Sequence, residues 1–91
     1  MAVEVRDNPQ RSRFEVHEDG ELAGFADYVR RGDRLVMPHT EVFAEGRGLG
    51  STLVRGALDA ARDQGLSVVP QCSFVRAFLA RHPEYADLAA G

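Results

Sequence analysis

The residues best suited to chemistry form a glycine-rich turn, Gly46-Arg47-Gly48-Leu49-Gly50, between a β-like run and a helical pattern. Glycine has no Cβ, so a ligand can approach the backbone closely at these positions. The first turn of the following helix offers unpaired N–H groups and the positive end of the helix dipole. These features predict a site for a phosphate or diphosphate group. The alternative is an ordinary turn, since glycines before a helix are common.

The residues around this turn exclude two common kinds of phosphate-binding site. A nucleotide-hydrolysing P-loop requires Gly-Lys-Ser/Thr, and the chain contains no lysine. A dinucleotide fold requires an acidic residue after the next strand, where this chain has Pro70-Gln71-Cys72. A diphosphate held by backbone amides alone remains, and coenzyme A is the common cellular molecule that carries one.

The secondary structure that must position this turn begins with β-strands. Alternating apolar and polar residues, separated by turn residues, predict four strands over 3–6, 13–17, 22–29 and 34–42. Pro38 lies inside the fourth, so we expect that strand to be bulged, splayed or unpaired there. The four strands predict an antiparallel meander that ends directly before the glycine turn.

Helical spacing begins at Gly48 and ends near Gly65, and a short strand follows over 66–69. Ser73 is predicted to cap a second helix that ends at His82-Pro83. A strand–helix–strand unit requires a parallel crossover. The fold class is therefore α+β: a small mixed sheet, an antiparallel four-strand meander plus one parallel strand, with two main helices.

The glycine turn resembles the acetyl-CoA pyrophosphate loop of the GCN5-related N-acetyltransferases. Segments 38–42, 70–75 and 81–85 look like one minimal branch of that superfamily, and the resemblance covers roughly residues 14–85. It implies a GNAT-like single minimal acetyl-CoA-binding domain over 1–91. It also implies transfer of acetyl from acetyl-CoA, leaving coenzyme A, to a primary amine on a small molecule or protein acceptor.

The resemblance implies that the amides from Arg47 to Thr52 hold the pyrophosphate and that backbone near Glu41 to Phe43 pairs with the pantetheine arm. Glu45 departs from the superfamily pattern, which has Arg or Gln there. The expected cofactor-binding residues are Val42, Phe43, Arg47, Gly48, Leu49, Gly50, Ser51, Thr52 and Ser73.

Three residues are predicted to be catalytic. Cys72, on the same sheet end as the glycine turn, is the candidate nucleophile or general acid for the departing thiolate; the alternative is an inert buried cysteine. His39 and Glu41 share one strand face, and either is a candidate general base; the alternative is a surface position. In many relatives a tyrosine on the last helix protonates the sulfur, whereas that helix here carries Phe74 and Phe78.

Composition limits the partners. The net charge is −3, which argues against nucleic acid or an anionic membrane as the main partner. One cysteine and three histidines without ligand spacing predict no metal site, and the lack of a disulfide framework predicts a cytoplasmic protein. An open sheet edge would allow a homodimer. The alternatives to an enzyme are an acyl-CoA-binding module without turnover and a protein-interaction module.

Overall fold

A mixed sheet with helices packed on one face makes up the computed structural model, which describes residues 2–43 and 48–89. The sheet order is β1-β2-β3-β4-β5, with antiparallel pairs up to β4 and a parallel β4–β5 pair. The predicted fold class is confirmed. The elements are β1 (Val3–Asn8), β2 (Arg13–Glu18), β3 (Glu21–Arg31), β4 (Arg34–Val42), α1 (Leu49–Asp63), β5 (Ser67–Pro70), α2 (Ser73–Arg81) and a 3-10 helix (Pro83–Leu88).

The core lies between α1 and the sheet. Leu53 and Leu58 of α1 are fully buried, as are Val16 and Met37 on the facing strands. The helix ends as predicted at Gly65, whose φ of 70° lies in the left-handed region. There the amide of Gly65 donates to the carbonyl of Arg62, and that of Leu66 to Ala61. These two hydrogen bonds close the helix, and the chain then continues into β5.

A bulge in β4 reverses which of the side chains after it face the helices. Asp27 of β3 pairs with His39, whereas Val29 pairs with Val36, so β4 carries one extra residue around Pro38. The irregularity predicted at this proline is therefore present as a bulge. Beyond it, Thr40 faces the helices, while His39 and Glu41 lie on the opposite face, which we call the open face.

The second helix begins differently from the prediction. Ser73 is its first helical residue, and the N-cap is Cys72, whose backbone is extended. The cause is a backbone bond from the amide of Cys72 to the carbonyl of Met37 in the bulge, 3.0 Å long. The 3-10 helix that follows is packed rather than frayed, because Tyr85 and Leu88 are buried in the core.

Among the described residues, no helix has both the length and the apolar content needed to cross a bilayer.

Candidate functional site

The N-terminus of α1 presents unpaired backbone donors. Its N-cap is Gly48, with a φ of 73°, and no side chain bonds to the cap. The first turn contains no acidic residue, so nothing in it repels an anion. The amides of Leu49, Gly50 and Ser51 have no acceptor within the helix. By contrast, the amide and the hydroxyl of Thr52 both donate to the carbonyl of Gly48, each at 3.1 Å.

Two glycines of the predicted turn have different structural roles. Gly48 adopts the left-handed conformation, and a Cβ there would meet nothing within 4 Å. A Cβ on Gly50 would lie 2.5 Å from the ring of Phe74 on α2. Gly50 therefore allows α1 and α2 to approach closely, and their N-termini lie side by side as a result. Gly46, Arg47 and Glu45 fall outside the described residues.

Between these two helix ends lies the unpaired edge of β4. The parallel pairing with β5 covers Arg34 to Met37 only, so the later residues of β4 have no strand beside them among the described residues. The amide of Phe43 donates to the carbonyl of Ala23 on β3. Because backbone groups alternate along a strand, those of Thr40 and Val42 point to the unpaired side. This edge can pair with an extended ligand that carries amides.

Cys72 lies between the N-terminus of α2 and this edge. Its thiol is 3.5 Å from the hydroxyl of Thr40. Burial raises the pKa of the Cys72 thiol, but the hydrogen bond with the Thr40 hydroxyl and those from the amides of Val75 and Phe74 outweigh it, so the pKa is lowered. The cysteine is half-buried and free. The thiol is therefore partly accessible, and its surroundings favour the thiolate form.

The two predicted bases lie across the strand from Cys72. His39 and Glu41 are both exposed on the open face, as their predicted common face requires. The His39 ring packs against Phe25, with 6.0 Å between centroids, and Phe25 also contacts Phe43. Asp27 is the cross-strand neighbour of His39. The site therefore has a thiol on one side of β4 and an imidazole with carboxylates on the other.

A buried network of charged side chains lies against the ring of Phe25, and the sequence analysis did not predict it. Glu15 is 8% exposed and accepts hydrogen bonds from Arg13 (2.8 Å) and Asn8 (3.1 Å), with His17 Nε2 at 3.0 Å. The bond with His17 is the main cause that lowers the Glu15 pKa to about 2; burial opposes it, and Arg13 and Asn8 add to it. The Arg13 guanidinium lies 4.5 Å from the centre of the Phe25 ring. Only the alternation of β2 signals this network in the sequence.

Other predicted features are less central. Tyr85 is a buried packing residue, and its hydroxyl donates to Asp59 at 2.7 Å. Ser73 is exposed at the first turn of α2, beside the unpaired edge of β4. Within 2–43 and 48–89, no three His, Cys, Asp or Glu side chains cluster as metal ligands would.

Comparison with known proteins identifies the class. A model of the GCN5-related N-acetyl-transferase family matches residues 13–88. The fold is similar to the NMR solution structure of a "GCN5-like putative N-acetyltransferase" from Staphylococcus aureus, with a TM-score of 0.75 and 23% identity. That likeness covers 97% of this chain and 88% of the other, and at this identity it concerns the fold. The chain belongs to the GCN5-related N-acetyltransferase family, so the enzyme class it represents is the acetyltransferases.

Proposed function

We propose that this chain, as one minimal domain over 1–91, transfers acetyl from acetyl-CoA to a primary amine. The observation that carries the proposal is the unpaired N-terminus of α1 beside the unpaired edge of β4, with Cys72 next to both. A diphosphate needs the first feature, an amide-bearing arm needs the second, and a thioester reaction needs an acid or nucleophile close by.

The donors of α1 would hold the diphosphate of acetyl-CoA. Leu49, Gly50 and Ser51 supply free amides, and Gly48 supplies the turn that aims them. Thr52 joins them only if its hydroxyl leaves the carbonyl of Gly48. Arg47 would add positive charge. Val42 would pair with the pantetheine amides, Phe43 would cover the arm, and Ser73 would contact it from the start of α2.

In direct transfer, the amine nitrogen attacks the thioester carbon. A C–N bond forms, the C–S bond breaks, and the nitrogen gives its proton to His39 or, through water, to Glu41. Coenzyme A leaves as a thiolate, which takes a proton from Cys72 or water. The open face supplies the base and the room for an acceptor, because no described helix packs on it.

The alternative route passes through Cys72. Its thiolate attacks the thioester carbon and coenzyme A leaves as a thiolate. The amine then attacks the acetyl-cysteine: a C–N bond forms, the C–S bond breaks to return the Cys72 thiolate, and the amine proton goes to His39 or water. The lowered thiol pKa favours this nucleophile. Intact mass spectrometry after mixing with acetyl-CoA, without acceptor, separates the routes. An acetyl adduct that is absent in Cys72→Ala supports the covalent route, and an unmodified protein that still turns over supports direct transfer.

A thiol-release assay over a panel of primary amines tests the function itself. We expect Cys72→Ala and His39→Gln each to lower kcat/KM by about tenfold or more, with little effect on acetyl-CoA binding. His82→Gln, at the far end of α2, is the matched control and should retain activity. Acetyl-CoA binding without release to any amine would instead favour an acyl-CoA-binding module, which the phenylalanines on α2 in place of a tyrosine also favour.

A further inference from the structure

A shallow groove on the open face lies next to the proposed reaction centre. It has a volume of about 380 Å³, and its lining includes Val29, Val36, Pro38, Val69, Arg31 and Arg34. Pro38 is adjacent to His39 in the chain. Val29 is 45% exposed, although it is a large apolar residue. The groove therefore has an apolar floor that the described protein leaves uncovered.

One end of the groove is strongly positive. Arg31 and Arg34 are direct cross-strand partners at the end of the β3–β4 hairpin, so two like charges stand side by side. Such a pair is destabilising unless an anion lies between its members. Neither guanidinium forms an ion pair or a side-chain hydrogen bond with any described residue. The local charge is opposite in sign to the net charge of −3 of the whole chain.

Beyond the Pro38 end of the groove, the same face of the sheet carries the candidate base His39 and two carboxylates. Asp27 lies across the strand pair from His39, and Glu41 lies two residues along the same strand. Within the described part of the chain, neither carboxylate has a hydrogen-bond or ion-pair partner. This end therefore favours an amine, and the two ends together favour a molecule with opposite charges at its two ends.

We propose that the groove binds the acceptor as a primary amine with an apolar body and a terminal carboxylate. The amine lies at His39, the body covers Val29, Val36 and Pro38, and the carboxylate lies between Arg31 and Arg34. Four residues separate Arg34 from His39, and the arginine side chains extend along the strand toward His39. The distance from amine to carboxylate is therefore roughly 10 Å. This inference names the acceptor class and rests on the proposed function.

Matched linear amines test the charge preference. We expect 8-aminooctanoate to have a KM about tenfold below those of its methyl ester and of 1,8-diaminooctane in the thiol-release assay at low salt. Shortening the acid to 4-aminobutanoate should remove the advantage. The variant carrying Arg31→Gln and Arg34→Gln should treat acid and ester alike. Arg30→Gln is the matched control, because Arg30 lines a different cavity, with Tyr28 and Leu35.

A binding measurement separates this inference from the proposed function. Octanoate, which has no amine, should shift the backbone NMR signals of Val29, Val36 and Val69 in the parent protein but not in the Arg31/Arg34 double variant. Those shifts without turnover of any amine would support the groove and contradict the acetyltransferase proposal. Turnover of acid and ester with equal KM, or shifts that survive in the double variant, would overturn the groove and leave the proposed function standing.

Discussion

At the scale of single residues, Thr40 decides the chemical environment of Cys72. Its hydroxyl is 3.5 Å from the sulfur, and it points there because the extra residue in β4 turns it toward the helices. The amides of Phe74 and Val75 add to its effect on the thiol. A thiolate at this position is stabilised by one side chain and one helix end, so removing the side chain should be measurable.

We expect Thr40→Val to slow alkylation of Cys72 by iodoacetamide at pH 7 by roughly tenfold, because a hydrogen bond to a charged group contributes about 1.5–3 kcal/mol. Thr40→Ser keeps the hydroxyl and is the control. The measurement is the pH profile of alkylation, which requires no acetyl transfer. Equal profiles for the valine and serine variants would show that Thr40 does not act on the thiol.

Glu15 should account for part of the loss of protein stability at acidic pH. Its pKa falls from 4.5 to about 2 on folding, chiefly through His17 and against the effect of burial. A lowered pKa stabilises the protein fully above pH 4.5, and the contribution is lost as the pH falls toward 2. We expect Glu15→Gln to cost about 1–3 kcal/mol of unfolding free energy at pH 6 and less at pH 3.

Denaturant titrations at the two pH values measure this difference. Glu21→Gln is the control, since the Glu21 side chain is exposed and forms no hydrogen bond with the described residues. The network would be unimportant if both variants lost the same stability at pH 6.

At the scale of elements, the pairing of β3 with β4 holds the proposed coenzyme-binding edge. Gly24 of β3 lies so close to β4 that a Cβ on it would be 2.7 Å from the carbonyl oxygen of Glu41 and 3.1 Å from the Cα of Val42. Both are backbone atoms, which cannot rotate away. The close contact makes Gly24 a position at which any side chain would force β3 and β4 apart.

We expect Gly24→Ala to lower the unfolding free energy by about 1–3 kcal/mol, as overpacking typically does. Gly56→Ala is the comparison: its Cβ would lie equally close, 2.7 Å, to Cγ1 of Val5, but the neighbour is a side chain on an edge strand rather than backbone, and alanine favours the helix by about 1 kcal/mol. Urea denaturation of both variants measures the difference. A Gly24→Ala protein as stable as Gly56→Ala would show that the strands can separate at little cost.

At the scale of the whole molecule, a small fold should gain much of its stability from ligand. Acetyl-CoA at about 100 times its Kd would add about 2.7 kcal/mol, which corresponds to roughly 10–20 °C in Tm for a domain of this size. Pantetheine lacks the diphosphate and should give a much smaller shift. Thermal unfolding with each ligand checks the expectation.

The variant Ser51→Glu isolates the helix N-terminus in the same experiment. A carboxylate in the first turn interacts favourably with the positive end of the helix dipole, so the protein without ligand should keep its Tm. The same charge repels a diphosphate, so the shift with acetyl-CoA should shrink. An unchanged shift would place the diphosphate away from α1.

Local patterns in the sequence were sufficient for the strands, the helices and the end of α1 at Gly65, because alternation, helical spacing and a left-handed glycine depend on near neighbours. The family also followed from the sequence, because the glycine turn and segments 38–42, 70–75 and 81–85 are each short contiguous motifs. Ser73 as the cap was wrong, because the bond from Cys72 to Met37 joins residues far apart in the chain.

Only the tertiary structure decided the contacts between residues that are far apart in the chain. The extra residue at Met37–Pro38 decides that Thr40 faces the helices and the thiol, while His39 faces the open face; unbroken alternation from Leu35 and Met37 would have given the reverse. Several strands or helices must meet to form the contact of Phe74 with Gly50, the Glu15 network and the groove from Arg34 to Pro38. Residue types and order determined which chemistry was present, while packing determined which groups face one another, because facing depends on register and on the way each element lies against the next.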